Sequence, residues 1–134
     1  MSFTKDLLLG LAAYVSAGGI ADPGFMKALP AGPDRCYAIT AYSASDEAKV
    51  SLSKIRVQFW FRGAVNNSLD VDDLGDDVFN LLHGIEHVQF GTAHVNQMLR
   101  VSSIQLGADV NKRNERSDNY ELDVDVPVTP GRPW

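Results

Sequence analysis

Cysteine is nearly absent from this chain of 134 residues, since Cys36 is the only one. A single thiol closes no internal disulfide and builds no multi-thiolate metal site. No base lies close to Cys36 in the sequence, so we expect it to be a small buried residue rather than a nucleophile. Long apolar runs are also missing. No stretch approaches about 18 consecutive apolar residues, so no membrane span is expected.

Basic residues are too few for a general nucleic-acid binder. Lys and Arg number 12 against 17 Asp and Glu, which gives a net charge of −5, whereas proteins that displace phosphate counterions carry a basic surplus. The first residues, with Lys5 and Asp6, do not follow the pattern of a signal peptide. We therefore expect one globular domain in reducing, cytoplasm-like conditions.

Catalytic motifs are lacking as well, with one formal exception. No phosphate-binding G-x-x-x-x-G-K-[ST], dinucleotide-binding G-x-G-x-x-G or nucleophile G-x-S-x-G occurs in the sequence. His83, Glu86 and His87 match the zinc-peptidase pattern H-x-x-E-H. That chemistry needs both imidazoles on one helix face, and Gly84 stands where the helical pattern stops. We expect a helix end here, and a small zinc hydrolase remains an alternative of another class.

An acidic run at Asp70 resembles the start of a calcium-binding loop. Such a loop requires an oxygen ligand at its fifth position and a bidentate Glu at its twelfth. Leu74 and Leu81 occupy these positions, and both belong to an apolar helix stripe. We therefore expect no metal site, no cofactor and no catalytic residue.

The residues that are present follow helical and strand periodicities. Apolar side chains recur every three to four residues in two segments and alternate with polar ones in four others. The strand at residues 53–62 is the clearest, because it turns lysine, arginine and Trp60 away from its apolar face. The predicted elements are helices at residues 3–17 and 71–83 and strands at residues 36–43, 53–62, 95–106 and 119–126.

This order predicts an α+β fold, because helices and strands do not alternate strictly. We expect a single domain with a mostly antiparallel four-stranded sheet and two helices packed on one face. It spans residues 1–126, and a Pro-rich C-terminal arm follows at residues 127–134. Between the elements we predict an irregular segment at residues 18–35, a polar turn at 43–49 and a charged finger at 107–118.

Several segments in sequence order resemble a family of phage structural proteins, labelled minor capsid proteins and related to the tail terminators of long-tailed phages. The pair Trp60-Phe61 departs from the resemblance, because family members often carry smaller or polar residues there. The matching segments are residues 8–18, Val57-Gln58-Phe59-Trp60-Phe61-Arg62-Gly63, residues 73–84, Leu106-Gly107-Ala108-Asp109 with Arg113 and Glu115-Arg116, and Ser117-Asp118-Asn119-Tyr120.

The resemblance implies a tail-terminator-like subunit that assembles as a ring, commonly a hexamer, at the head-proximal end of a tail tube. The ring would stop polymerisation of the tail tube protein and join the tail to a head-completion or neck protein. DNA would pass through its lumen without specific binding. The protein would be assembled in the host cytoplasm and reside in the virion, at the tail and neck. Alternatives are a head-completion or neck connector between portal and tail, and a host-side adaptor or toxin–antitoxin partner.

Site residues follow from the same resemblance. Arg62 and the loop at residues 107–116 would lie at the ring interface or face the tube. Asp118-Asn119-Tyr120 would anchor the base of the finger, with a left-handed turn tolerated at Asn119. A second set would form an acidic face toward solvent or the lumen: Asp70, Asp72, Asp73, Asp76 and Asp77. The expected interface residues are Trp60, Arg62, Asp109, Lys112, Arg113, Arg116, Asn119, Tyr120 and Trp134.

Overall fold

Two helices and six strands make up residues 3–46 and 52–125, which the computed structural model describes. The predicted first helix is confirmed with its bounds, and the second is shifted by one residue. In chain order the elements are α1 (Phe3–Ala17), β1 (Gly24–Met26), β2 (Cys36–Asp46), β3 (Leu52–Val65), α2 (Asp70–Leu82), β4 (Glu86–Phe90), β5 (Ala93–Ala108) and β6 (Arg113–Asp125).

The strands form one mixed sheet in the order β1-β2-β3-β6-β5-β4. All neighbouring strands are antiparallel except β1 and β2, which are parallel. The α+β class is confirmed, whereas the prediction of four strands is wrong. The four predicted strands are the central ones, and the short strands β1 and β4 flank them. With 3 and 5 residues, these two are too short to show a period in the sequence.

Besides the irregular segment at residues 18–35, which contains β1, two predicted connections are partly strand. Residues 43–46 of the predicted polar turn belong to β2, which ends at Asp46, and β6 begins at Arg113 inside the predicted charged finger. The core-facing positions at the start of β6 are occupied by the buried Arg116 and Asp118 instead of apolar residues. Because strand periodicity was judged from apolar residues, this half of the strand was missed.

Both helices pack on the same face of the sheet and share one core. Leu11 of α1 and Leu74 of α2 belong to a single buried cluster with Phe59, Phe61 and Tyr120. The rings of Phe59 and Phe61 stack with centroids 5.6 Å apart.

The close approach of α2 to the sheet depends on a glycine. A Cβ at Gly63 of β3 would lie 2.7 Å from the backbone nitrogen of Val71. Glycine therefore allows the first turn of α2 to lie directly against β3.

Some predicted features fall outside the described residues. These are the C-terminal arm at residues 127–134 with Trp134, the end of the last strand at residue 126, and part of the polar turn. Among the described residues, no helix has the length and hydropathy needed to cross a bilayer.

Candidate functional site

Arg62 fastens the irregular segment 27–35 to one end of the sheet. Its guanidinium donates to the carbonyl oxygens of Pro30 at 2.7 Å, Pro33 at 2.6 Å and Asp34 at 2.9 Å. The side chain is only 3% exposed. Sequence periodicity correctly places Arg62 on the sheet face away from the core, but the folded-back segment covers it. Arg62 is therefore a structural anchor within the subunit rather than an exposed interface cation.

Arg113 makes a second anchor beside the first. It donates to the carbonyl oxygen of Ala31 at 2.8 Å and pairs with the carboxylates of Asp34 at 3.1 Å and Asp109 at 2.9 Å. Asp109 also accepts the backbone N–H groups of Asn111 and Arg113, each at 2.9 Å. These hydrogen bonds, that of the Arg113 backbone first, lower the pKa of Asp109. The finger is thus a tight hairpin turn whose base is fixed by charge-assisted hydrogen bonds.

Arg116 joins helix α2 to the β5–β6 hairpin. It binds Asp118 through two parallel N–H···O bonds of 2.9 Å each. It also contacts Asp76 at 2.9 Å and Asp72 at 3.1 Å. Asp118 is fully buried and accepts a further hydrogen bond from the Ser103 hydroxyl at 2.6 Å. Burial alone would lower the pKa of Arg116, but the hydrogen bonds to Asp118 and Asp76 outweigh it and raise that pKa.

The predicted acidic face is reduced by these contacts. Asp72 and Asp76 form ion pairs with Arg116, although their side chains stay 30% and 62% exposed. Asp70 is buried, pairs with Arg35 and accepts the backbone N–H of Ala64 at 2.7 Å, so its prediction as a surface residue was wrong.

The two remaining aspartates of the run, Asp73 and Asp77, are exposed on α2. Together with Asp76, which is 62% exposed, they keep the solvent-facing position that was predicted for the whole acidic run.

The last predicted interface residues are distributed over three environments. Trp60 is 36% exposed and donates through Nε1 to Glu115 at 3.0 Å. Lys112 is exposed in the hairpin turn with φ 61°. Asn119 is an ordinary strand residue that accepts a hydrogen bond from the Tyr42 hydroxyl at 3.0 Å, so the predicted left-handed turn is wrong for it. Lys112 adopts that conformation instead.

Tyr120 lies in the core and is not on the surface. Its ring packs edge to face on Phe59 with centroids 5.5 Å apart. Burial, with a smaller contribution from Asp118, raises the pKa of its hydroxyl. That hydroxyl has no hydrogen-bond partner among the described residues. The predicted interface role of Tyr120 is therefore not compatible with its position.

The histidines of the formal zinc motif lie on different elements. His83 follows the last residue of α2, stacks on Phe79 and accepts the backbone N–H of Arg100 at 3.0 Å. His87 is in β4 with φ 52° and faces His94 of β5 at 3.5 Å. The geometry of two imidazoles on one helix face is not formed. Within residues 3–46 and 52–125, no three acidic, histidine or cysteine side chains converge as metal ligands would.

Cys36 is fully buried, as predicted. Burial is the main reason that the pKa of its thiol is raised, and it lies 3.4 Å from the guanidinium of Arg62. A thiol that is buried and remains protonated is a poor nucleophile.

Several exposed apolar side chains lie at the end of the sheet that Arg62 and Arg113 hold. We call this region the anchored end and define it by residues 30–34, 62–70 and 107–113. The turn before α2 meets the hairpin tip there through the N–H of Asn66, which donates to the carbonyl oxygen of Lys112 at 2.9 Å. Val65 is 42% exposed, Leu69 70% and Val110 96%. The arrangement is a rigid surface that offers apolar contacts to another protein.

Sequence reasoning missed Arg35 and Asp34 as members of these clusters, and it placed Asp118 at the finger without assigning it a buried pair with Arg116. The signal for Asp118 was available, because residues 116 and 118 are two apart and therefore share one face of a strand. For Asp34 and Arg35 no local pattern exists, because their partners are 79 and 35 residues away.

Comparison with known proteins identifies the family. The sequence matches the family model described as bacteriophage tail terminator protein over residues 10–126. Among solved structures, the fold is similar to a chain of the virion of a native gene transfer agent particle, with a TM-score of 0.67 and 12% sequence identity. The alignment covers 93% of this chain and 100% of that chain, and at this identity it shows the fold alone. Among curated proteins no significant match is found.

The family match runs from the middle of α1 past the end of β6 and includes the anchored end and all three buried arginines. The resemblance inferred from short sequence segments is thereby confirmed. The chain belongs to the bacteriophage tail terminator protein family and is a structural protein of the phage tail.

Proposed function

We propose that this chain is the tail terminator that forms a closed ring, a hexamer as the resemblance implies, on the head-proximal end of the tail tube. The ring stops polymerisation of the tube protein and provides the surface to which a head-completion or neck protein binds. The protein assembles in the host cytoplasm, resides in the virion and catalyses no reaction. Family membership over residues 10–126 supports this proposal.

The observation that carries the proposal is the anchored end. Arg62 and Arg113 are 3% and 5% exposed, because both guanidinium groups bind backbone carbonyl oxygens of the subunit itself. What this end offers to a partner is apolar, with Val110 and Leu69 the most exposed. Interfaces between proteins are depleted of charge at their centres and gain from rigid surfaces that lose little entropy on binding. The tube protein is the partner that we assign to this end.

Charge supports the passage of DNA through the ring. The chain carries a net charge of −5, and Asp73 and Asp77 remain exposed on α2. A lumen of negative potential repels the phosphate backbone, so DNA passes without binding. We place α2 toward the lumen for this reason.

The proposal is tested by adding the purified chain to polymerising tail tube protein and measuring tube lengths by electron microscopy. The unmodified chain is expected to limit tube length and to appear as a ring at one tube end. Val110→Asp places a charge at the most exposed apolar position, and we expect it to reduce capping at least tenfold. Leu9→Asp is the matched control, since Leu9 is 50% exposed on α1, away from the anchored end.

Tubes that grow to the same length with and without the unmodified chain would contradict the proposal. Binding to portal-bearing heads without any binding to tube ends would contradict it as well and would favour the neck connector. Equal capping by the Val110→Asp variant would show that the anchored end does not face the tube.

A further inference from the structure

The second half of β5 has an open edge. Strand β4 pairs with β5 only between Ala93 and Gln97, and the backbone of Gly84 and Ile85 contacts Met98. All residues from 101 to 108 are exposed. Among residues 3–46 and 52–125, β6 is the only strand beside them. We call residues 101–108 the free edge of β5.

The composition of this edge is unusual for a strand that faces water. It contains no charged residue and no proline. Val101 is 44% exposed, Ile104 54% and Leu106 46%. Monomeric proteins protect open edges with lysine, proline or bulges, because unpaired backbone groups otherwise recruit another strand. Bulges occur here only near the two ends, so residues 102–105 keep a regular register with β6.

The polar side chains of this edge are used inside the subunit. The Ser103 hydroxyl donates to Asp118 at 2.6 Å, and the Gln105 amide donates to Asp72 at 2.5 Å. These bonds hold the edge in an extended, fixed conformation. The backbone N–H and C=O groups on the outer side of this edge can therefore pair with a further strand.

The sheet carries a second open edge, which identifies the partner as another copy of this chain. Strand β1 covers β2 only from Tyr37 to Ile39. In the part of the chain that the structure describes, residues 41–46 have β3 as their only neighbouring strand. We call residues 41–46 the free edge of β2. Because β2, β3, β6 and β5 are successively antiparallel, β5 runs opposite to β2. A copy in the same orientation therefore continues the sheet with an antiparallel pair.

The two free edges lie at different heights. Ile104 is in one row with Ser117, Trp60 and Ala38. The free edge of β5 is thus level with the part of β2 that β1 covers. The free edges of two copies lie side by side when one copy is displaced along the strands by about six residues, which is about 20 Å at roughly 3.3 Å per residue. In this arrangement β1 and β4 do not lie between the paired edges.

This displacement is compatible with a closed ring. The four strands from β2 to β5 are about 19 Å wide at roughly 4.8 Å per strand. A shift of about 20 Å along the strands over a width of about 19 Å keeps all copies at the same height only if the strands are tilted by about 45° to the ring axis. This tilt agrees with the roughly 35–45° found in closed barrels. Contacts between two different edges generate rings when the rotation closes.

We infer that the free edge of β5 in one copy pairs antiparallel with the free edge of β2 in the next copy, and that this pairing joins the subunits of the ring. The inference rests on the proposed ring but names a contact that, apart from residues 107 and 108, lies outside the anchored end.

The test is disulfide cross-linking of the full chain. Tyr42→Cys places a thiol at the free edge of β2 and Leu106→Cys places one opposite it at the free edge of β5, while the native Cys36 is fully buried. The variant with both substitutions is expected to form, on oxidation, a covalent ladder that ends at the copy number of the ring. Each single variant is expected to remain monomeric on a non-reducing gel.

A second measurement uses charge in place of a cross-link. Ile104→Lys combined with Leu106→Lys is expected to weaken ring formation at least tenfold, measured by light scattering at fixed concentration. Leu9→Lys is the control, because Leu9 is 50% exposed on α1 and belongs to neither free edge, and we expect it to retain the ring. All these positions are exposed, so the fold is expected to persist, which circular dichroism checks.

Distinct outcomes separate this inference from the proposed function. Dimers formed by Leu106→Cys alone would overturn it, because they would show pairing of β5 with β5. Rings that cap tubes but give no ladder would overturn it and leave the proposed function intact. Failure of the unmodified chain to form rings, even with tube protein present, would overturn both.

Discussion

Replacing Arg116 by methionine tests whether the buried charge cluster holds α2 to the sheet. Methionine keeps much of the side-chain length but removes the guanidinium that binds three carboxylates. The three are not equivalent. The side chains of Asp72 and Asp76 are 30% and 62% exposed, so water can replace the lost contacts, whereas that of Asp118 is fully buried.

The expected cost therefore comes mainly from Asp118. Removing one partner of a buried ion pair typically costs about 3–5 kcal/mol, and we expect a loss in this range because Asp118 keeps, besides the Ser103 hydroxyl, only the longer 3.5 Å contact with Arg100. With an unfolding entropy of about 2.1 cal/mol/K per residue, this loss lowers the Tm by about 11–18 °C. The substitution Asp118→Asn should cost less, about 1.5–3 kcal/mol, because Arg116 then keeps its two exposed partners.

The assay is urea unfolding followed by circular dichroism at one fixed protein concentration, since association shifts apparent stability. Arg116→Met, Asp118→Asn and the combined variant complete a double-mutant cycle. The combined variant is expected to lose at least about 1 kcal/mol less than the sum of the two single losses. A loss below about 1 kcal/mol for Arg116→Met, or strictly additive losses, would refute the assignment of this cluster as the link between α2 and the hairpin.

Two further predictions concern the same region of the molecule. Gly75→Ala places a Cβ 2.7 Å from the guanidinium carbon of Arg116, so we expect the free energy of unfolding to fall by about 1–2 kcal/mol although alanine favours helices. Asn80→Ala is the control, because Asn80 is exposed on the same helix, and we expect it to be neutral or slightly stabilising. A stabilising Gly75→Ala would show that Arg116 moves freely. Tyr120→Phe removes a buried hydroxyl without a partner among the described residues, and we expect a gain of about 1 kcal/mol in the free energy of unfolding at pH 7. The raised pKa of Tyr120 means that just above pH 10 its hydroxyl ionises only in the unfolded chain. Ionisation of the unfolded chain lowers the free energy of unfolding, so the protein loses stability as the pH rises above about 10. The phenylalanine variant should accordingly lose less stability between pH 10 and 11, whereas an identical alkaline decline would contradict this assignment.

Local patterns in the sequence were sufficient for the elements with strong periodicity. The stripe that includes Leu7 and Leu11 predicted α1, and the alternation around Phe59 predicted β3 and the face that it buries. The absence of catalytic motifs and the ordered segments that resemble tail terminators indicated the family, and the match over residues 10–126 confirmed it. These features depend on residues close in sequence, where helix and strand periods act.

The roles of the charged residues could not be obtained in the same way. Arg62 was expected outward on its strand, and it is, yet a segment about 30 residues earlier folds over it. Asp70 was expected in a solvated first turn of α2, but it forms an ion pair with Arg35, which lies at the end of that segment. Whether a charge faces solvent or a partner depends on which distant backbone arrives there.

The sequence by itself determined the α+β class, the apolar faces of the main elements and the family to which the chain belongs. Only the tertiary structure decided that three arginines are internal anchors and that an uncharged stretch of β5 remains as an open edge. The physical reason is range: hydrophobic periodicity is imposed residue by residue along the chain, whereas ion pairs and edge exposure are set by segments that become neighbours only after folding.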